Sequence, residues 1–146
     1  MATNIYTSVI AKIKTILESV DHIKEVHAHP IGKGARFKNY PAVVFVPSRL
    51  NVEFSDSGSN HHTMRFRMWI LVQANNIANS TIFETVLPTA ADAVVSAIGT
   101  GWDFGTIDGH RTWARVETGD MGYTQDENGM EAWMELDLII RLDTDI

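Results

Sequence analysis

The order of its elements predicts that this chain folds as an α+β domain, a mostly antiparallel sheet with two helices packed on one face. Three observations predict it. Two segments carry apolar residues at helical spacing, around residues 5–20 and 82–98. Several others alternate apolar and polar residues with the period of a strand. The strand-like segments are also joined by short turn sequences, so that neighbours in the chain pair as hairpins. The predicted order is α-β-β-β-α-β-β, with residues 1–146 forming one domain, as the length suggests.

In the first helix, Thr3 or Asn4 supplies a side-chain oxygen for the free first-turn amides. Ile5, Val9, Ile13, Ile16, Leu17 and Val20 then fall on one side, and Asp21-His22 ends the helix. Ile23 to His29 has no clear period and reads as a weak strand or an extended connection. Residues 30–41 hold two glycines and two prolines, which mark a loop. Ala42-Val-Val-Phe-Val46 is a β-branched run closed by Pro47, predicted as a strand buried on both faces. Residues 51–55 and 62–74 form a hairpin across Ser55-Asp-Ser-Gly-Ser-Asn60, a run of turn-forming residues.

In the second arm of that hairpin, Met64, Phe66, Met68, Ile70 and Val72 point one way. Arg65, Arg67, Trp69, Leu71 and Gln73 point the other. Ser80 caps the second helix, Gly99 stops it, and Pro88 within it kinks it or splits off a short first turn. Residues 99–109, with four glycines and the aromatics Trp102 and Phe104, read as a loop with an apolar anchor. Two long strands, 111–123 and 131–142, close the chain across the turn Asp126-Glu-Asn-Gly129. In the last strand Ala132, Met134, Leu136, Leu138, Ile140 and Leu142 face the core. They alternate with Trp133, Glu135, Asp137, Ile139 and Arg141.

Composition narrows the function. The chain has no cysteine, so disulfides, thiolate metal sites and cysteine nucleophiles are excluded. No stretch approaches the 18 apolar residues of a membrane span, and the first residues lack the pattern of a signal peptide. The net charge of −6 argues against general nucleic-acid affinity. That charge is unevenly placed. Residues 1–73 carry nine basic and five acidic side chains, net +4; residues 74–146 carry three and thirteen, net −10. Such polarity suits copies of one chain meeting head to tail.

The residues that could carry chemistry form no recognised catalytic signature. His27 and His29 have metal-ligand spacing and His61, His62 and His110 could add to them, but solvated or hydrogen-bonded histidines explain them better. Gly32-Lys-Gly34 lacks a following helix to cradle phosphate. Glu135 and Asp137 share a strand face and read as a wet sheet surface. No metal, cofactor or catalytic residue is expected.

Surfaces are more telling. Lys33, Arg36, Phe37, Lys38 and Tyr40 make a basic, aromatic loop fitted to an acidic partner. Trp69, Trp113 and Trp133 fall on strand faces that otherwise carry charge, Trp69 beside Arg65 and Arg67. Large aromatics among charges are typical of interfaces. The opposing expectation is that helices cover that face and bury them. A second functional class, a small-molecule-binding domain, would place its pocket near Trp102, Phe104 and His110.

The assembled pattern resembles a known family. A helix of pattern I-x3-V-x3-I-x2-IL leads to Asn39-Tyr-Pro-Ala-Val-Val-Phe-Val-Pro47. Then come a hairpin ending in Arg65-Phe-Arg-Met-Trp-Ile-Leu-Val72, a helix with Ala90-Ala-Asp-Ala-Val-Val-Ser-Ala-Ile98, and a closing β-hairpin. This is similar to the tail terminator, or tail completion, proteins of long-tailed bacteriophages, over nearly the whole chain. The resemblance implies a non-enzymatic virion protein, assembled in the host cytoplasm, that forms a ring, typically a hexamer. The ring caps the tail tube, stops its polymerisation and meets the head–neck connector. DNA passes through its lumen without specific binding. A head-completion or other neck ring is the sibling role. Under this reading the loops 30–41, 55–62 and 124–130 contact neighbouring subunits, tube or neck.

Overall fold

The computed structural model describes residues 5–28, 39–56, 59–73, 81–99, 103–107, 110–126 and 129–145. Helix α1 spans Ile5–Glu18 and buries Val9, Ile13 and Leu17, one residue per turn on a single stripe. A three-residue strand β1, Glu25–His27, follows. Next come two 15-residue strands, β2 (Ala42–Asp56) and β3 (Ser59–Gln73). A five-residue π-helical turn, Ile82–Val86, leads into helix α2, Leu87–Gly99. Strand β4 is Asp103–Ile107, β5 is His110–Asp126 and β6 is Gly129–Asp145.

The six strands form one sheet in the order β1-β2-β3-β6-β5-β4. The class is the predicted α+β, with one qualification: β1 runs parallel to β2, so the sheet is mixed, and every other pairing is antiparallel. At its centre β3 pairs with β6 in unbroken register from Ser59↔Asp145 to Gln73↔Glu131. This joins the two long hairpins, which lie far apart in the chain.

Three elements differ from expectation. Pro47 does not end its strand, and 42–56 is one continuous strand with a register shift between Pro47 and Arg49. β1 covers β2 only as far as Val44. Among the described residues Pro47 therefore falls where β2 is an edge, and beside a bulge, the two places in a sheet that tolerate a missing N–H. Residues 103–107, expected as loop, add a short strand beside β5, with an irregular register around Gly105. Both hairpins are longer and their links tighter than the turn sequences suggest.

Pro88 acts as foreseen. Its missing N–H leaves the Glu84 carbonyl without an i+4 donor, and the π turn ends just before it. The capping residues Thr3, Asn4 and Ser80 lie outside the described residues.

The core lies between the sheet and the two helices. Val43, Phe45, Phe66, Met68, Ile70, Leu136, Leu138, Ile140 and Leu142 meet Val9, Ile13, Leu87, Ala90, Val94 and Ile98. Phe45 and Phe66 pack edge to face, ring centroids 6.1 Å apart. Thr112, the buried polar side chain, donates its hydroxyl to the His110 carbonyl at 3.1 Å. The even-numbered residues of β3 and β6 thus supply the buried layer, as their alternation predicts.

Candidate functional site

Because the helices take one face, alternation sends the odd-numbered residues of β3, of β6 and of β5 as far as Glu117 to the other, and the register shift between Thr118 and Met121 brings Gly122 there. The register fixes who stands beside whom. Across one end of that face run Gly122, Trp133 and Leu71. Further along come Glu117, Asp137 and Arg67, then Arg115, Ile139, Arg65 and Arg49, then Trp113, Arg141 and Thr63. The sequence-predicted residues Arg65, Arg67, Trp69, Trp113 and Trp133, drawn from three strands, therefore share one helix-free face. Trp69, Trp113 and Trp133 are half-buried, and the helices among the described residues pack on the opposite face.

The residue types on this face are sharply sorted. Every arginine among the described residues lies there: Arg49, Arg65, Arg67, Arg111, Arg115 and Arg141. So does every described tryptophan. The described lysines, Lys12, Lys14 and Lys24, lie on α1 or just after it. Arginine and tryptophan carry the largest shares of binding energy at protein interfaces, whereas lysine is depleted there. A guanidinium sheds water more easily than an ammonium and offers a planar fork of donors to carboxylates.

The charges also divide along the strands. Arg49, Arg65, Arg111, Arg115 and Arg141 gather toward the end near residues 56–59, around Trp113, with the Arg111 guanidinium 5.9 Å from the Trp113 ring centre. A shallow hollow there has Ile139 as its floor, 9% exposed, and Arg65, Trp113, Arg115 and Arg141 as its rim. Glu131, Glu135 and Asp137 stand toward the other end, beside Trp133 and Trp69. Arg67 bonds Glu135 at 3.3 Å and Arg115 bonds Glu117 at 2.7 Å. These pairs are substantially exposed, so they orient side chains more than they stabilise the fold. Glu135 and Asp137 thus belong to a charged lattice.

Trp133 has a specific seat. Gly122 stands opposite it, and a Cβ on that glycine would lie 2.6 Å from Trp133 Cζ2. The indole lies across backbone that only glycine leaves open.

Tyr40 reaches the same region, donating its hydroxyl to Glu131 Oε2 at 2.9 Å. Lys33, Arg36, Phe37 and Lys38 lie outside the described residues, as do His29, the Gly32-Lys-Gly34 turn, Trp102 and the Phe104 side chain.

The histidines are spread over both faces. His27 bonds Glu25 at 2.8 Å. His61, on the helix-free face, pairs with Asp143 and is approached by Arg141. His62, on the helix side, bonds the Tyr6 hydroxyl at 3.1 Å. Burial holds His62 below its ordinary value, with His110 adding to the effect and Asp143 opposing it. Among the described residues no three His, Asp or Glu side chains converge as a metal site requires.

No family model and no curated protein matches this chain. Among solved structures it is similar to a chain of the "Virion of native gene transfer agent (GTA) particle". The two are 15% identical, the match covers 99% of this chain and 100% of that one, and the TM-score is 0.52. At that identity the likeness shows a shared fold, from end to end of both chains. None of the helices among the described residues is long and apolar enough to cross a membrane.

The face itself was readable as separate strand patterns. The gathering of all described arginines on it was not, because that depends on β3 pairing with β6. Its one local signal was the repeated placing of Arg or Trp on the polar phase of each long strand.

Proposed function

We propose that this protein is a structural component of a phage-like virion, and specifically a tail terminator. Copies of it form a ring, a hexamer by resemblance, that caps the tail tube, stops tube growth and joins the tail to the head–neck connector. The whole chain acts as one domain, without cofactor or catalytic residue. The observation that carries the reading is the helix-free face, where every described arginine and tryptophan stands together on a charge-divided surface. The shared fold with a chain of a virion particle supports the same class of role.

The mechanism is surface complementarity. Arg65, Arg67, Trp69, Trp113 and Trp133 dock onto a neighbour in the assembly, and Tyr40 and the basic residues Lys33, Arg36 and Lys38 with Phe37 take part in the docking. The surplus carboxylates of residues 74–146 suit a lumen that passes DNA without holding it, since like charge repels the phosphates.

The test is native mass spectrometry of the purified protein at low and moderate salt, together with its addition to growing tail tubes. A hexamer, or a monomer that becomes hexameric on tubes and fixes their length, supports the reading. Arg65→Glu and Trp113→Ala should each weaken docking roughly 30-fold or more while the chain stays folded. A strict monomer or dimer that leaves tube growth unchanged refutes it.

A further inference from the structure

The hollow on the helix-free face is ringed by like charge. The register sets Arg49 directly opposite Arg65, and places Ile139 between Arg65 and Arg115. Arg141 and Trp113 stand opposite each other in the next row. Like charges directly opposite in a sheet repel one another. The lining of the hollow includes Arg65, Arg115 and Arg141 and no carboxylate. The carboxylates around it are mostly engaged. Glu117 binds Arg115, Asp143 binds His61 and Glu135 binds Arg67. Asp137 stands opposite Arg67, diagonal to Arg65, and Glu53 lies two rows along β2, opposite His61. Even with Glu53, Glu117 and Asp143 all counted against Arg49, Arg65, Arg111, Arg115 and Arg141, this end of the face keeps a surplus of two positive charges. Among the described residues the half-buried Arg65 makes no ion pair. A guanidinium row of this kind calls for a carboxylate from outside the chain.

The matching chemistry lies elsewhere on the same chain. From Val116 to Ile140 the sequence holds seven carboxylates, Glu117 to Asp137, and no lysine, arginine or histidine. Within that stretch the register shift between Thr118 and Met121 re-aims the side chains of β5. There Asp120 is exposed and forms no ion pair among the described residues, and the adjacent Met121 is 48% exposed. An unpaired carboxylate and an uncovered apolar side chain are thus presented side by side. The hollow offers the complement of both, guanidiniums at its rim and Ile139 beside Trp113 at its floor. The two cannot meet within one copy. Arg115 and Asp120 are five positions apart on one continuous strand, roughly 15 Å. A nucleic-acid backbone suits the hollow less well, because Glu131, Glu135 and Asp137 continue the same face and repel a polyanion.

We propose that the hollow of one copy receives Asp120 and Met121 of a second copy. Asp120 meets the guanidiniums of Arg65, Arg115 and Arg141, and Met121 packs on Ile139 against the Trp113 ring, a favourable contact for a thioether. The contact joins two different surfaces, so it can pass from copy to copy as a ring requires. The inference deepens the terminator reading, and rests on it for the closure into a ring.

Three variants test it: Arg115→Glu/Arg141→Glu, Asp120→Lys, and a chain carrying all three changes. The three side chains are exposed, so the variants should fold, as circular dichroism and thermal melting will show. Native mass spectrometry at low salt should find the wild type oligomeric, and added salt should weaken its association. The first two variants should each self-associate at least about tenfold more weakly. The triple variant, and an equimolar mixture of the first two, should recover association, because reversing both sides restores unlike charge at each contact. If Asp120→Lys associates like the wild type, or if neither the triple variant nor the mixture recovers, the docking is refuted. Binding of double-stranded DNA that Arg115→Glu/Arg141→Glu abolishes, with self-association unchanged, refutes it in favour of nucleic acid. A wild type that is monomeric at low salt overturns it as well. Capping of growing tail tubes is measured separately. A wild type that fixes tube length while Asp120→Lys still assembles removes this docking and leaves the terminator reading standing.

Discussion

Replacing Gly122 with alanine probes how Trp133 is seated on the candidate interface. The added Cβ would lie 2.6 Å from Trp133 Cζ2, 3.0 Å from Cη2 and 3.1 Å from Cε2. Ordinary contact begins near 3.4 Å, so the indole must retreat by about 0.8 Å. Such overpacking costs about 1–3 kcal/mol. Alanine is otherwise the better strand residue by roughly 0.5–1 kcal/mol, since glycine loses more backbone freedom on folding. The net loss should be at most about 2.5 kcal/mol, or up to roughly 10 °C in Tm for a chain of this size. In a Trp133→Ala background the obstacle is gone, so Gly122→Ala should be neutral or stabilising. Urea unfolding of the four proteins gives the coupling energy, expected at about 1–3 kcal/mol. If the alanine penalty is the same in both backgrounds within about 0.5 kcal/mol, the indole does not occupy the space above Gly122. The seating of Trp133, and its role in docking, would then need another explanation.

Other perturbations separate the remaining features. Gly119→Ala should cost more than Gly122→Ala and should not be rescued by Glu135→Ala, because its Cβ would lie 2.4 Å from the Glu135 backbone oxygen; the same urea cycle checks it. Leu138→Ala, at a fully buried site, should destabilise by about 2–5 kcal/mol in urea unfolding. Arg67→Ala should cost less than about 1 kcal/mol, an effect that fades with added salt, since its bond to Glu135 is half-exposed. Burial keeps His62 below its unfolded value of 6.5, so the unfolded chain binds the extra proton first. Stability from this group is therefore present above about pH 6.5 and falls as the pH drops toward the folded value. Urea midpoints measured between about pH 7.5 and about pH 5.5 should fall further for the wild type than for His62→Gln.

Legibility in the sequence followed the range of the interactions. The stripe of Val9, Ile13 and Leu17, the split before Pro88 and the two phases of β3 and β6 are set within a few residues of one another. A period of 3.6 or of 2 records them directly. The segment 103–107 escaped because its strand character comes from docking on β5 and not from its glycine-containing sequence. Pro47 misled for a related reason: whether a proline breaks a strand depends on whether its side of the strand is paired, and β1 pairs with β2 only as far as Val44.

The sequence by itself determined the elements, the split of each long strand into an apolar and a charged phase, and the absence of a recognised catalytic signature. Only the tertiary structure decided which phases lie side by side. Pairing of β3 with β6 brings together arginines and tryptophans from residues 49–69 and 111–141, and the helices among the described residues cover the apolar side instead. How far β1 and β4 extend along β2 and β5 is decided in the same way. Both outcomes depend on hydrogen bonds between distant segments, which no local periodicity encodes.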